Sequence, residues 1–260
     1  MRSWTCITRV ILGFLGALVL LPAVALAAPS IAGTCGVSNA TSSAGVLTLN
    51  YPASIAAGEL LIAVVGVDGG LTTTTGWTAA GFTELSDTDQ GNTSMSVAYK
   101  FASGSESGTF TLSYGGTDDD FHAVICRITG AHDTTPPEVG TAATSASSTL
   151  PDCPSLDPSG WATEDTLWFC AFTTAATFTV TVDPASYALV DKSEGVSSNA
   201  STYVYSRANS AGSEDPGAAT ISSATAWVAQ TIAVRPSAAP AGGSTIKCII
   251  SGSFLAAGAC

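Results

Sequence analysis

Residues 94–101 read Ser94-Met95-Ser96-Val97-Ala98-Tyr99-Lys100-Phe101. Successive side chains of a strand point to opposite sides, so Met95, Val97, Tyr99 and Phe101 share one face while Ser94, Ser96, Ala98 and Lys100 share the other. A helix would scatter the same residues around its axis. Outward from this strand, β-branched and aromatic runs recur at 46–51, 60–67, 82–86, 109–114 and 121–129. Clusters of Gly, Asp, Asn, Ser and Pro separate them, and no apolar period of 3.6 residues is sustained. The chain reads as all-β.

The order of runs repeats in the second half at 166–173, 187–190, 202–207, 218–222 and 226–234. Leu60-Leu61-Ile62 matches Leu167-Trp168-Phe169, Phe82-Thr83-Glu84-Leu85 matches Tyr187-Ala188-Leu189-Val190, and Tyr99 to Ala102 matches Tyr205 to Ala208. Glu106 likewise matches Glu214, and Ile128 matches Val234. Matches in order at a near-constant spacing point to an internal duplication, with related halves at about 46–137 and 149–236. The expected fold is a jelly-roll-like antiparallel β-sandwich over 28–236, its halves interlocked by strands pairing across the repeat, with two separate small sandwiches as the alternative. Residues 133–148, rich in Thr, Ser, Ala and Pro, are expected to be a linker or a long crossover.

Arg2 and Arg9 precede an apolar run over 10–21, and Ala25-Leu26-Ala27 supplies the small-residue pattern of a leader cleavage site, so residues 1–27 read as a signal peptide. Its removal takes Arg2 and Arg9 from eight basic residues and leaves twenty acidic ones, a net charge of −14. Such a surface repels nucleic acid and anionic membranes. Charged residues make up only 11% of the chain and apolar ones 46%, enough material for a core and too little charge for general disorder. Cys35, Cys126, Cys153, Cys170, Cys248 and Cys260 remain after export, an even number that predicts disulfides in an oxidising compartment. Position favours Cys248 with Cys260, both in the tail, although six cysteines allow about 15 connectivities. Residues 237–260 read as a flexible linker and a short apolar, cysteine-containing tail, too short to span a bilayer.

Candidate chemistry is sparse. There is no G-x-S-x-G elbow and no H-E-x-x-H pair. His122, beside Asp118-Asp119-Asp120, reads either as a base with orienting carboxylates or as a strand-edge histidine after a polar turn; His132 is the other histidine. Asp68, Glu84, Asp87, Asp89, Glu106 and the Asp118-Asp119-Asp120 cluster, near strand ends, offer carboxylates for glycoside hydrolysis only if two converge. Asp87 and Asp89, or Asp118, Asp119 and Asp120, are candidate calcium ligands, since hard carboxylate oxygens in loops suit that ion. No other cofactor is expected. Trp77 and Trp161 follow glycines in loops and are candidates for stacking on sugar rings, whereas Trp168 and Trp227 lie in strands as core. Asn39, Asn92 and Asn199 open N-x-[ST] sequons.

Gly58-Glu59-Leu60-Leu61, Gly76-Trp77 ahead of Phe82-Thr83-Glu84-Leu85, Tyr99-Lys100, Glu106, Ile128-Thr129-Gly130-Ala131 and Val234-Arg235-Pro236 together resemble a duplicated β-sandwich module. Modules of that kind occur in phage tail and virion structural proteins and in bacterial surface proteins. The resemblance implies a fold and an assembly or attachment role, and its residues are structural. A leader and six exported cysteines favour a surface protein over a virion part. The expectation is a non-enzymatic secreted or cell-surface protein, extracellular or periplasmic, with a structural or adhesive role toward a surface glycan or protein partner. A carbohydrate-binding module is the runner-up, followed by a phage structural protein and a glycan-active hydrolase.

Overall fold

The computed structural model describes residues 27–42, 45–69, 74–115, 119–195 and 200–238. The leader and the Cys248–Cys260 pairing fall outside them. The first half carries β1 (Ser30–Ile31), β2 (Gly36–Ser42), β3 (Val46–Asn50), β4 (Leu60–Asp68), β5 (Thr83–Asp89), β6 (Thr93–Phe101), β7 (Thr109–Ser113) and β8 (Asp119–Thr129). The second carries β9 (Glu138–Val139), β10 (Ala143–Ser148), β11 (Asp152–Cys153), β12 (Glu164–Thr174) and β13 (Val180–Val182). It continues with β14 (Ala188–Glu194), β15 (Ser201–Ala211), β16 (Gly217–Ala218), β17 (Thr220–Ile221) and β18 (Thr225–Val234). No helix occurs among the described residues, and all pairings are antiparallel.

Each half builds one large sheet in the same strand order. In the first it runs β1-β8-β4-β6-β5 with β2 also on β8; in the second it runs β10-β18-β12-β15-β14 with β9 also on β18. A small ribbon covers the outer face of each: β3 with β7 in the first half, and β11 with β16 and β13 with β17 in the second. The two large sheets pack against each other through their inner faces. Leu60, Ile62, Val64, Met95, Val97 and Val124 there meet Leu167, Phe169, Ala171, Val204, Val228 and Ile232 in one buried cluster. β4 and β12 therefore lie between two apolar layers, which is why their sequences are near-continuous apolar runs; the flanking strand β6 is buried over its first six residues and half-buried over its last three.

The duplication extends to irregularities. β5 is bulged on β6 between Glu84 and Ser86, and β14 is bulged on β15 between Leu189 and Asp191. The ladders correct one match. Tyr99 lies opposite Ile62 and Ser206 lies opposite Phe169, so Ser206 rather than Tyr205 corresponds to Tyr99 and Arg207 corresponds to Lys100. A one-residue slip moves a side chain to the other face: Tyr99 packs between the sheets, whereas Tyr205 packs in the outer cluster. In the corrected register Lys100 pairs with Glu106 at 3.1 Å as Arg207 pairs with Glu214 at 2.6 Å.

Strands do not pair across the repeat among the described residues, apart from the isolated bridge Ala131–Pro236. The expected interlocking is replaced by face-to-face packing, because each large sheet already finds all its neighbours within its own half. The packing is reciprocal: β15 lies against β8 as β6 lies against β18, and β15 against β4 as β6 against β12. That is the pattern of a two-fold interface, here within a single chain. Residues 133–148 are no open linker, since they hold β9 and β10 on the edge of β18.

Disulfides join Cys35 to Cys126 and Cys153 to Cys170. Such bonds belong to a protein folded in an oxidising environment. The first ties the segment before β2 to β8, and the second ties the outer ribbon of the second half to its large sheet.

Candidate functional site

On the outer face of each large sheet, beside the bulged edge strand, the two halves differ. In the first half Trp77 sits there. The sequence places it in an exposed loop, but it is only 2% exposed, with its ring beside Phe82 and its Nε1 donating to Ser96 Oγ at 3.0 Å. The correction has a simple cause: the chain after β4 folds back over β6, where Ser96 and Ala98 leave room for an indole. Trp161 is half-buried against the outer cluster of the second half, with the Arg235 guanidinium 5.7 Å from its ring centre.

Ser96 and Ala98 correspond to Tyr203 and Tyr205 in the ladder register. Counting back from the matched pair Phe82 and Tyr187, Val182 stands where Trp77 does. Val182 is 56% exposed and plugs nothing. A groove of about 410 Å³ remains open. Beneath it lies a buried stack in which Tyr203 lies 5.3 Å from Phe178 and 5.2 Å from Phe172, with Tyr205 alongside. Asp183, Lys192 and Glu194 line it, together with Val180 and Leu189.

These polar groups are already ordered. Lys192 Nζ lies 2.8 Å from Glu194 Oε2 and 5.5 Å from the Tyr203 ring centre. Tyr203 donates its hydroxyl proton to Glu194 Oε1, and Tyr205 is hydrogen-bonded to Asp183. Burial pushes both phenols up, reinforced by the carboxylates they bond, so they stay neutral. Burial opposes ionisation of Glu194 as well, but bonds from Lys192 and Tyr203 outweigh it and lower its pKa. No feature of the one-dimensional pattern marks this groove; only the comparison of the two halves in register does.

The other sequence candidates serve the frame. His122 is 1% exposed and faces the layer between the sheets, so it is no strand-edge base. Ser193 Oγ donates to Ser38 O at 2.7 Å, which leaves its oxygen to accept from His122 Nδ1 at 3.2 Å. Burial lowers the His122 pKa to about 4, against the charges of Asp120 and Glu194. His132 Nδ1 accepts from the Thr135 amide at 3.0 Å in the connection between the halves.

Asp87 Oδ2 accepts the Thr74 amide and Asp89 Oδ1 the Gly91 amide, each at 2.7 Å. Burial raises Asp87, with the Asp89 charge adding and the Thr74 bond opposing. Burial raises Glu84 too, helped by Asp87. Glu106 is held at about 2: burial would raise it, but bonds from Ser103 and Lys100 prevail. Asp118 lies outside the described residues, Asp119 opens β8, and Asp120 is buried on it. Among the described residues no three His, Cys, Asp or Glu side chains are grouped to hold a metal. Asp68 ends β4 beside Gly91 and Asn92 of the β5–β6 hairpin, at the opposite end of the strand from Glu59. Asn39 Nδ2 donates to Glu194 O at 3.1 Å, Asn92 lies exposed at a hairpin tip, and Asn199 is outside the described residues.

No protein-family model matches the chain, and neither a curated protein nor a solved structure is significantly similar to it.

Proposed function

We propose that the chain is a non-enzymatic secreted or cell-surface β-sandwich with an adhesive or structural binding role, and that it holds its partner in the groove of the second half. One observation carries the reading: the position plugged by Trp77 in one half is left open in the other, above buried aromatic rings and beside ordered carboxylates. Binding grooves of this kind are largely preformed, and a rigid sandwich tied by two disulfides keeps one so. Glu59 and Glu164 are committed to ion pairs, Asp89 to a turn amide and the buried histidine to a serine, which supports binding without turnover.

The test uses residues 28–260 and their Thr179→Trp variant. Thr179 lines the groove with an exposed side chain, and its amide is held by Ser222 Oγ, so an indole there fills the groove without touching the core. Both proteins are applied to immobilised polysaccharides and extracellular matrix proteins. Saturable binding by the parent, lost in the variant, with no release of reducing ends or peptides, is expected. Turnover of any probe, or binding indifferent to Thr179→Trp, overturns the reading.

A further inference from the structure

The groove's charges and hydrogen bonds narrow its ligand. Resting on the reading above, we infer that it takes a neutral, polyhydroxylated ring: a hexose unit of an uncharged polysaccharide. Two carboxylates, Asp183 and Glu194, oppose an anion, and with Lys192 already paired to Glu194 the groove is net negative. A neutral hydroxyl avoids the anion's penalty and, unlike a cation, can accept from Lys192 as well as donate to the carboxylates.

The balance of donors and acceptors points the same way. Tyr203 and Tyr205 have each committed their single proton to a carboxylate, so their oxygens only accept further bonds. Asp183 and Glu194, ionised, are acceptors only. Lys192 is the one side chain of the groove's charged cluster with protons to spare. A site with acceptors in excess favours a ligand rich in donors, and vicinal sugar hydroxyls each donate one proton while also accepting from Lys192.

The apolar lining is accounted for as well. Leu189 is 44% exposed beside charged neighbours, an arrangement that burial in the fold does not explain. With half-buried Val180 it offers apolar surface that the C–H face of a pyranose covers. A volume of about 410 Å³ lies within the range of preformed small-molecule sites.

The experiment measures binding of the 28–260 chain to mannan, starch, galactan and chitin oligosaccharides. Alginate, polygalacturonate, heparin and an arginine-rich peptide serve as charged probes. Asp183→Asn and Thr179→Trp are run alongside, with near-ultraviolet circular dichroism confirming that each stays folded. At least one neutral saccharide is expected to bind, roughly tenfold more weakly to Asp183→Asn, the scale of one hydrogen bond to a charged group, and not measurably to Thr179→Trp. Binding of only charged probes, sensitive to Thr179→Trp, overturns the ligand class and leaves the groove as the site. Neutral-sugar binding indifferent to both substitutions, or no binding by any probe, overturns the site itself.

Discussion

His122 shows how much one side chain depends on the layer it occupies. Its ring lies between the two large sheets, bonded to Ser193 of the other half, and burial lowers its pKa to about 4. The unfolded chain, with an ordinary histidine near 6.5, binds a proton that the folded chain refuses. Stability is therefore full above about pH 6.5 and declines as pH falls toward 4, by on the order of 3 kcal/mol across the window. Urea unfolding at pH 7 and pH 4.5 should show this loss, and His122→Asn should flatten it. Equal pH slopes in parent and variant would show that the histidine is not held neutral. The counterweights are Asp120 and Glu194, whose charges favour protonation but do not overcome burial.

Among the elements, the edge strands show why their own sequences are poor guides. β2 (Gly-Val-Ser-Asn-Ala-Thr-Ser) and β10 (Ala-Thr-Ser-Ala-Ser-Ser) have too few apolar residues to be read as strands. β8 and β18 supply their partners, since an edge strand needs a neighbour's hydrogen bonds more than a buried face. β5 and β14 carry Glu84, Asp87 and Asp89, and Asp191, Lys192 and Glu194, charges that discourage further pairing at an open edge. The disulfides act at this scale by closing loops of unequal length: Cys35 and Cys126 are 91 residues apart, Cys153 and Cys170 only 17. Loop-closure entropy predicts a loss of about 4.5 kcal/mol for Cys35→Ala with Cys126→Ala and about 3 kcal/mol for Cys153→Ala with Cys170→Ala. Chemical denaturation of the two double variants checks the order; the reverse would mean that contacts within the folded outer ribbon dominate.

At the scale of the whole molecule, the two halves meet as closely as layers of one core. A Cβ at Gly66 of β4 would lie 1.9 Å from Thr173 Oγ1 and 2.5 Å from Thr202 Oγ1 of the other half. Those hydroxyls are fixed, Thr173 donating to Ser201 O and Thr202 to His122 O. Gly66→Ala should therefore push the sheets apart and cost about 1–3 kcal/mol, the range for overpacking. Thr173→Ala, which removes the nearest atom, should recover part of the loss. Additive losses in the double variant would show that the sheets are not in contact there. The reciprocal packing consumes both inner faces, which leaves the outer faces, with Trp77 buried on one and the groove on the other, as the places where the halves differ.

The all-β class, most of the strands and the existence of two related halves were legible in the chain itself, because strand alternation and the spacing of turn residues are local. So was the even set of cysteines, though not their pairing, since Cys35 and Cys126 are joined only by the approach of distant strands. Face-to-face packing without strand exchange, the true register of Tyr99 with Ser206, the burial of Trp77 and the open groove over Tyr203 were decided by tertiary structure alone. Each depends on which face of a strand meets which layer, and that choice is settled by neighbours tens of residues away in sequence rather than by the residues beside it.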